Sequence, residues 1–245
     1  MKKVIIGILI MIANSASIRA QEFLTSEVLT RVINIKVANK QGTGFFVENK
    51  SKAYIVTAKH IIGDSLKHKS TITIKVYHDN IWKDLTGTVL LHINPKIDIA
   101  IIESNLKISP NHFELSSNGI IIGETGYFLG FPFGLRMENI GGDMNPDFPL
   151  PFVKKASISA IIKKSGITLQ FLDGHNNPGF SGGPVVFKNR TGKSKYQWSI
   201  IGVISGYINE NKELTTPFQK LQYKENSGII LSYGAEHISE IIERK

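Results

Sequence analysis

The chain has 245 residues, 42% of them hydrophobic, a formal net charge of +9 and no cysteine. That length and apolar content are enough for one large domain or two small ones and exclude disorder as the default state, while the absence of cysteine excludes a disulfide framework. The basic excess is spread over lysines in turns (Lys50, Lys52, Lys154, Lys155, Lys163, Lys164, Lys193, Lys195) without an aromatic-interleaved stripe, which reads as a solvated surface rather than a nucleic-acid interface. Met1-Lys2-Lys3, an apolar run over 4–13 and small residues toward Ala16 or Ala20 read as a secretory signal peptide over 1–20. It is too short for a stable membrane span and places the mature protein in the periplasm or outside the cell. From Glu27 onward, short β-branched runs at 32–37, 44–47, 53–58, 71–76, 86–91 and 99–102 alternate with turn clusters. That spacing predicts an antiparallel all-β unit over about 27–105. A polar, breaker-rich stretch over 104–119 reads as a connection. Runs at 120–122, 125–130, 156–162, 168–172, 184–187, 198–205 and 228–231 then predict a second unit over about 118–232. Ile238, Ile241 and Ile242 fall at helical spacing with charges opposite, predicting an amphipathic helix over about 234–244.

Within this frame one stretch carries chemistry: Asp173-Gly174-His175-Asn176-Asn177-Pro178-Gly179-Phe180-Ser181-Gly182-Gly183-Pro184. A single serine among three nearby glycines, running into an apolar strand, sits at the apex of a turn. A serine hydroxyl needs a base, and the base an orienting acid. His60 closes the run Tyr54-Ile55-Val56-Thr57-Ala58-Lys59-His60, and Asp98 is a lone acid in Lys96-Ile97-Asp98-Ile99-Ala100-Ile101-Ile102. Gly179-x-Ser181-x-Gly183 also fits the elbow of α/β-hydrolases, which requires a helix after the serine and the order Ser, acid, His. Here a strand pattern follows, no Asp comes after Ser181, and the only later histidine is His237. The remaining histidines (His68, His78, His92, His112, His237) show no metal-ligand spacing.

The segments Val56-Thr57-Ala58-Lys59-His60, Asp98-Ile99-Ala100 and Gly179-Phe180-Ser181-Gly182-Gly183-Pro184 resemble the three signature segments of the trypsin/chymotrypsin-like serine proteases. Gly42-Thr43-Gly44-Phe45-Phe46-Val47 and Gly130-Phe131-Pro132-Phe133-Gly134 add likeness to the bacterial branch, as in the envelope heat-shock proteases but without their PDZ modules. The resemblance spans nearly all of residues 21–245. It implies two packed antiparallel Greek-key six-stranded β-barrels with a C-terminal α-helix, and a triad of His60, Asp98 and Ser181. It also implies an oxyanion hole from the Gly179 and Ser181 amides, and peptide or protein substrates cleaved without metal or cofactor. Ser205 matches the residue that supports the buried aspartate. Gly206 and Tyr207 continue that strand beside the substrate, and His175 matches the base of the primary pocket. Phe180 stands where animal members carry an aspartate that binds a new amino terminus, so activation through that salt bridge is excluded. The stretch 134–155, with Gly141-Gly142 and three prolines, matches a loop beside the oxyanion hole and is expected to act as a lid or a plain surface excursion. The alternative function is a catalytically silent binding or scaffold protein of the cell envelope. Such a protein would normally have lost a triad residue or the glycines beside the serine, and this chain retains them all.

Overall fold

The first barrel follows directly from alternation. In a computed structural model, which describes residues 24–110, 113–137, 149–189, 194 and 196–245, six strands close on one another in the order β1-β2-β3-β6-β5-β4. They are β1 (Val32–Val37), β2 (Lys40–Asn49), β3 (Lys52–Thr57), β4 (Thr71–His78), β5 (Ile81–Leu91) and β6 (Ala100–Ser104). In β4, Ile72, Ile74 and Val76 turn into the barrel. On the solvated face Thr73 bonds Thr86 at 2.8 Å and Lys75 bonds Asp84 at 2.7 Å across the β4–β5 pair. β6 does not alternate, because both its faces are covered: Ile102 points into the barrel core and Ile101 into the cluster shared with the second unit.

The second unit contains β7 (Glu114–Leu115), β8 (Thr125–Gly130), β9 (Phe152–Lys164), β10 (Ile167–Asp173), β11 (Pro184–Lys188), β12 (Trp198–Thr215) and β13 (Lys220–Gly234). The sheet runs β11-β8-β9-β10-β13-β12-β7, and a further β11–β12 pairing joins its two sides. β7 is an addition of two residues, parallel to β12. The molecule is thus mostly β, with one closed six-stranded antiparallel barrel, a second curled sheet and a terminal helix. Two short helices, α1 (Ser26–Leu29) and α2 (Lys59–Ile62), precede the terminal helix α3 (Glu236–Glu243). No helix among the described residues is long and apolar enough to cross a membrane. The signal-peptide reading falls on residues outside the described ones.

Two features depart from the sequence expectation. The run 120–122 is not a strand: glycines at positive φ bracket it (Gly119, Gly123), and Ile121 and Ile122 are exposed. Conversely, β12 and β13 continue well past their apolar portions as a two-stranded arm pairing Asn209–Thr215 with Lys220–Asn226. The arm carries cross-strand ion pairs such as Lys220–Glu213 at 3.0 Å and Lys212–Glu225 at 3.9 Å, and Phe218 sits exposed at its tip.

α3 packs as its periodicity predicts, burying Ile238, Ile241 and Ile242 in a cluster with Phe45, Leu129 and Trp198 that glues the two units together. It is also clasped by hydrogen bonds. His92 Nδ1 accepts the Asn94 N–H at 2.9 Å and His237 Nε2 accepts the Thr168 N–H at 3.0 Å, so the opposite ring nitrogens carry the protons. Both donate to Glu240 Oε2, at 2.9 and 2.8 Å. Sequence spacing gave no hint of this trio, whose facing atoms lie within 4.8 Å of one another. A cation there would displace both protons and leave two backbone N–H groups facing protonated nitrogens, so the cluster is built as a clasp. Glu240→Ala would leave the buried His237 N–H unpaired and is expected to cost about 1–3 kcal/mol of stability, read as a lower denaturant midpoint at unchanged slope.

Candidate active site

Register places the predicted site residues at one end of each unit. Thr57 of β3 pairs with Ala100 of β6. His60, three residues beyond the one, and Asp98, two before the other, therefore emerge side by side. In the second unit Pro184 of β11 pairs with Val203 of β12, which brings Ser181 and Ser205 together in the same way.

Asp98 is the hub. Its Oδ1 accepts the backbone N–H of His60 at 2.9 Å, and its Oδ2 accepts His60 Nδ1 at 2.7 Å and the Ser205 hydroxyl at 2.5 Å. Burial pushes the Asp98 carboxyl upward, but the bonds from His60 and Ser205 outweigh it and hold the group below its ordinary value, as a carboxylate. With Nδ1 donating to Asp98, His60 Nε2 is left as the acceptor. The Ser181 hydroxyl donates to the Ser205 carbonyl at 3.2 Å rather than to the imidazole. Ser205 therefore touches both the acid of the first barrel and the serine of the second unit.

The serine turn is pinned through its carbonyls. Pro178 O accepts the Phe133 N–H at 2.7 Å and Phe180 O accepts the Gly183 N–H at 2.8 Å. Neither peptide is cis, so the N–H of each linkage points away from its bonded carbonyl. Those two N–H groups are the Gly179 and Ser181 amides, and among the described residues neither donates a hydrogen bond. A pair of unpaired, oriented amides beside a serine hydroxyl is a site for a developing negative charge. Two glycines make this geometry accessible. At Gly179, φ is +105° and a Cβ would stand 2.2 Å from Phe131 O; at Gly182, φ is +85° and a Cβ would stand 2.2 Å from Thr43 O.

Phe180 replaces ionic with apolar anchorage. Its ring is fully buried edge-to-face against Phe128, with centroids 4.9 Å apart. The Lys154 ammonium lies 5.8 Å from both ring centroids, bonds Asn177 Oδ1 at 3.1 Å and also donates to His175 O. Burial lowers the pKa of this ammonium. Lys154 and Phe133 were not singled out by sequence reasoning, since a residue that acts through the backbone of a distant loop leaves no local pattern.

The expected substrate-pocket residues divide. His175 is exposed, and the buried member of its segment is Asn176, whose backbone carbonyl accepts Asn226 Nδ2 at 2.6 Å. Gly206 and Tyr207 lie on β12 beyond Val203, where pairing with β11 stops, so one edge of the strand has no strand partner among the described residues. A Cβ at Gly206 would meet nothing within 4 Å. Of the stretch 134–155, residues 138–148 lie outside the described ones. At its base Met137 bridges Leu150, Arg136 donates to the Tyr77 hydroxyl at 2.7 Å, and Phe152 onward already belongs to β9.

Comparison with known proteins agrees with the fold. No curated protein sequence matches the chain significantly. Among solved structures the chain is similar to a serine-to-alanine mutant of Rv3671c from M. tuberculosis in an inactive form, at 16% identity, over 89% of this chain and 87% of that one, with a TM-score of 0.54. It is also similar to the HtrA-type protease AlgW with tripeptide, at 18% identity and a TM-score of 0.57, over 89% of this chain but 60% of that one. Likeness at these identities speaks for the fold. The model of the trypsin-like peptidase domain matches residues 42–194, more than half of the sequence, and the chain belongs to that family of serine endopeptidases.

Proposed function

We propose that the protein is an exported serine endopeptidase that cleaves peptide bonds through an acyl-enzyme on Ser181. The observation that carries this reading is the shared wiring of Asp98, which holds His60 by Nδ1 and Ser205 by its hydroxyl while Ser205 receives the Ser181 hydroxyl on its carbonyl. On substrate binding the Ser181 hydroxyl turns from Ser205 O to His60 Nε2. Nε2 takes the proton as Oγ bonds to the scissile carbonyl carbon, and the carbonyl oxygen becomes an oxyanion held by the Gly179 and Ser181 amides. Collapse of that intermediate breaks the C–N bond, and the leaving amine takes the proton back from His60. Water, deprotonated by the same imidazole, then releases the acyl group. Asp98 stays ionised throughout and fixes the tautomer.

The substrate is a peptide or protein whose backbone adds to the open edge of β12 at Ser205–Tyr207, and no cofactor enters the reaction. The family resemblance assigns primary specificity to His175 and Tyr207. Export rests on the basic start and apolar run of residues 1–20. Incubation with an activated acyl ester followed by intact-protein and peptide mass spectrometry tests the core of this proposal. One acyl group on Ser181, removed by hydroxylamine, is the expected result. A folded protein that acquires no acyl group, or acquires it on another serine, is the catalytically silent alternative instead.

A further inference from the structure

We infer that Thr43 is a positioning residue for the oxyanion hole, reaching from the first barrel to set the serine turn of the second unit. This deepens the peptidase reading and rests on it. Thr43 lies on β2, is fully buried, and makes four hydrogen bonds, three of which cross between the two units. Its hydroxyl donates to Gly179 O at 2.6 Å and accepts the Phe131 N–H at 3.1 Å. Its own N–H donates to Ser181 O at 2.9 Å, and its carbonyl accepts the Thr57 hydroxyl at 2.8 Å.

The consequence lies in the sequence of peptide planes. Pro178 O and Phe180 O are held within the second unit by Phe133 and Gly183. The planes that alternate with them, Gly179–Phe180 and Ser181–Gly182, are held on their carbonyl side by the hydroxyl and the amide of Thr43, and on their N–H side by Asn177 O at 3.3 Å and Ile204 O at 2.7 Å. Four consecutive carbonyls are thereby fixed, and the two free amides between them stand at a set angle to each other and to Ser181 Oγ. The same hydroxyl fixes Phe131, the residue that opens the turn from which Phe133 clamps Pro178. One side chain thus governs both restraints on the Gly179 amide. The hydroxyl sits in a tightly packed site: a Cβ on Gly130 would stand 2.7 Å from Thr43 Oγ1 and 2.7 Å from the Phe180 ring. A valine at position 43 keeps the shape and the backbone bonds but removes the two made by the hydroxyl. With the carbonyl oxygen freed at Gly179, its plane is left with the long 3.3 Å bond from the Phe180 N–H to Asn177 O, and as it rotates the donors meet the developing oxyanion off-line, where their contribution falls steeply.

Because the hole acts on the transition state and not on the ground-state peptide, the loss should appear in kcat. Wild type, Thr43→Val and Thr43→Ser are to be compared on a peptide p-nitroanilide, with inhibition by a peptide aldehyde, whose hemiacetal oxygen occupies the same hole. Thr43→Val is expected to lose about 10- to 100-fold in kcat with KM within about threefold, and to weaken aldehyde inhibition by a similar factor. Thr43→Ser, which restores the hydroxyl, is expected to stay within about fivefold of wild type. If Thr43→Val does not fold, the same ratio is read from Thr43→Ala against Thr43→Ser. A hydroxyl-free variant that turns over at the wild-type kcat, or a serine variant as slow as the valine one, overturns the inference while the peptidase reading stands. A folded wild type that hydrolyses neither ester nor peptide overturns both.

Discussion

Ser181→Ala is expected to lower kcat/KM on any peptide substrate by about 10⁶-fold while moving the thermal midpoint by no more than about 2 °C. The two halves of that expectation come from different parts of the structure. Catalytically, the hydroxyl is the group that forms and releases the acyl intermediate in the proposed mechanism. With the nucleophile gone, the oriented amides can assist only the far slower direct attack of water. Structurally, Ser181 Oγ makes one long hydrogen bond, 3.2 Å to Ser205 O, and the turn is held by its backbone through Thr43, Ile204, Phe133 and Gly183. Removing a partly exposed hydroxyl from such a turn leaves every one of those bonds in place. A fluorophosphonate probe gives the check: wild type should be labelled once, on Ser181, and Ser181→Ala not at all. A Ser181→Ala protein that keeps more than about a thousandth of the wild-type rate would mean that another group attacks, and would sink the assignment of the nucleophile.

The frame of the molecule was legible because barrels leave a period. Thr71-Ile72-Thr73-Ile74-Lys75-Val76 alternates residue by residue, and the structure places its isoleucines inward and its threonines and Lys75 outward. The helix at the end was legible for the same reason, from Ile238, Ile241 and Ile242. The arm of β12 and β13 was not, because Asn209-Glu210-Asn211-Lys212-Glu213 has no apolar face; its strands are specified by each other across the ribbon, through register and ion pairs. Residues 120–122 misled in the opposite sense, an apolar run too short to pair and bracketed by turn glycines. At the site, His60, Asp98 and Ser181 could be picked out because each sits within three residues of a strand end, in a recognisable segment. Thr43 could be quoted but not interpreted: its partner Gly179 is 136 positions away, and a hydrogen bond of that span writes nothing into local sequence.

The departure at position 180 acquires a physical account from the same contacts. A turn that must present two amides needs its planes held, and an ion pair beneath the serine is one way to do so. Here the residue before the serine is a phenylalanine sealed against Phe128, and the carbonyls are held by Phe133, Thr43 and Gly183 instead. Burial of an aromatic ring of this size contributes about 2–3 kcal/mol, and it does so without waiting for a new amino terminus.

Asp98→Asn is expected to cut kcat about 10⁴-fold through the proton it misplaces rather than through any loss of shape. The direction of the error is dictated by the existing bonds. Asp98 Oδ1 accepts the His60 backbone N–H, so an asparagine must keep its carbonyl oxygen on that side. Its amide nitrogen is then forced to the Oδ2 position, where it faces His60 Nδ1 and Ser205 Oγ. Two N–H groups cannot face each other, so His60 shifts to the tautomer that accepts on Nδ1 and carries its proton on Nε2, and Nε2 can no longer take the Ser181 proton. Ser205 adapts by accepting from the new amide, which keeps the site in register and predicts KM within a fewfold of wild type. The acid side of the pH profile should change as well. The folded Asp98 carboxyl is held below its ordinary value, so its contribution to stability is fully present above the unfolded value, near 4, and is lost as pH falls through the lower folded value. In the wild type that contribution should decay as pH falls from about 4 through the lower folded value, whereas the asparagine variant has no such group to titrate and its acid-unfolding curve should be correspondingly flatter. Unfolding midpoints measured between about pH 2 and pH 5, together with kcat at neutral pH, decide the matter. An asparagine variant that cuts peptide within about tenfold of the wild-type rate would show that His60 takes its orientation from some group other than Asp98.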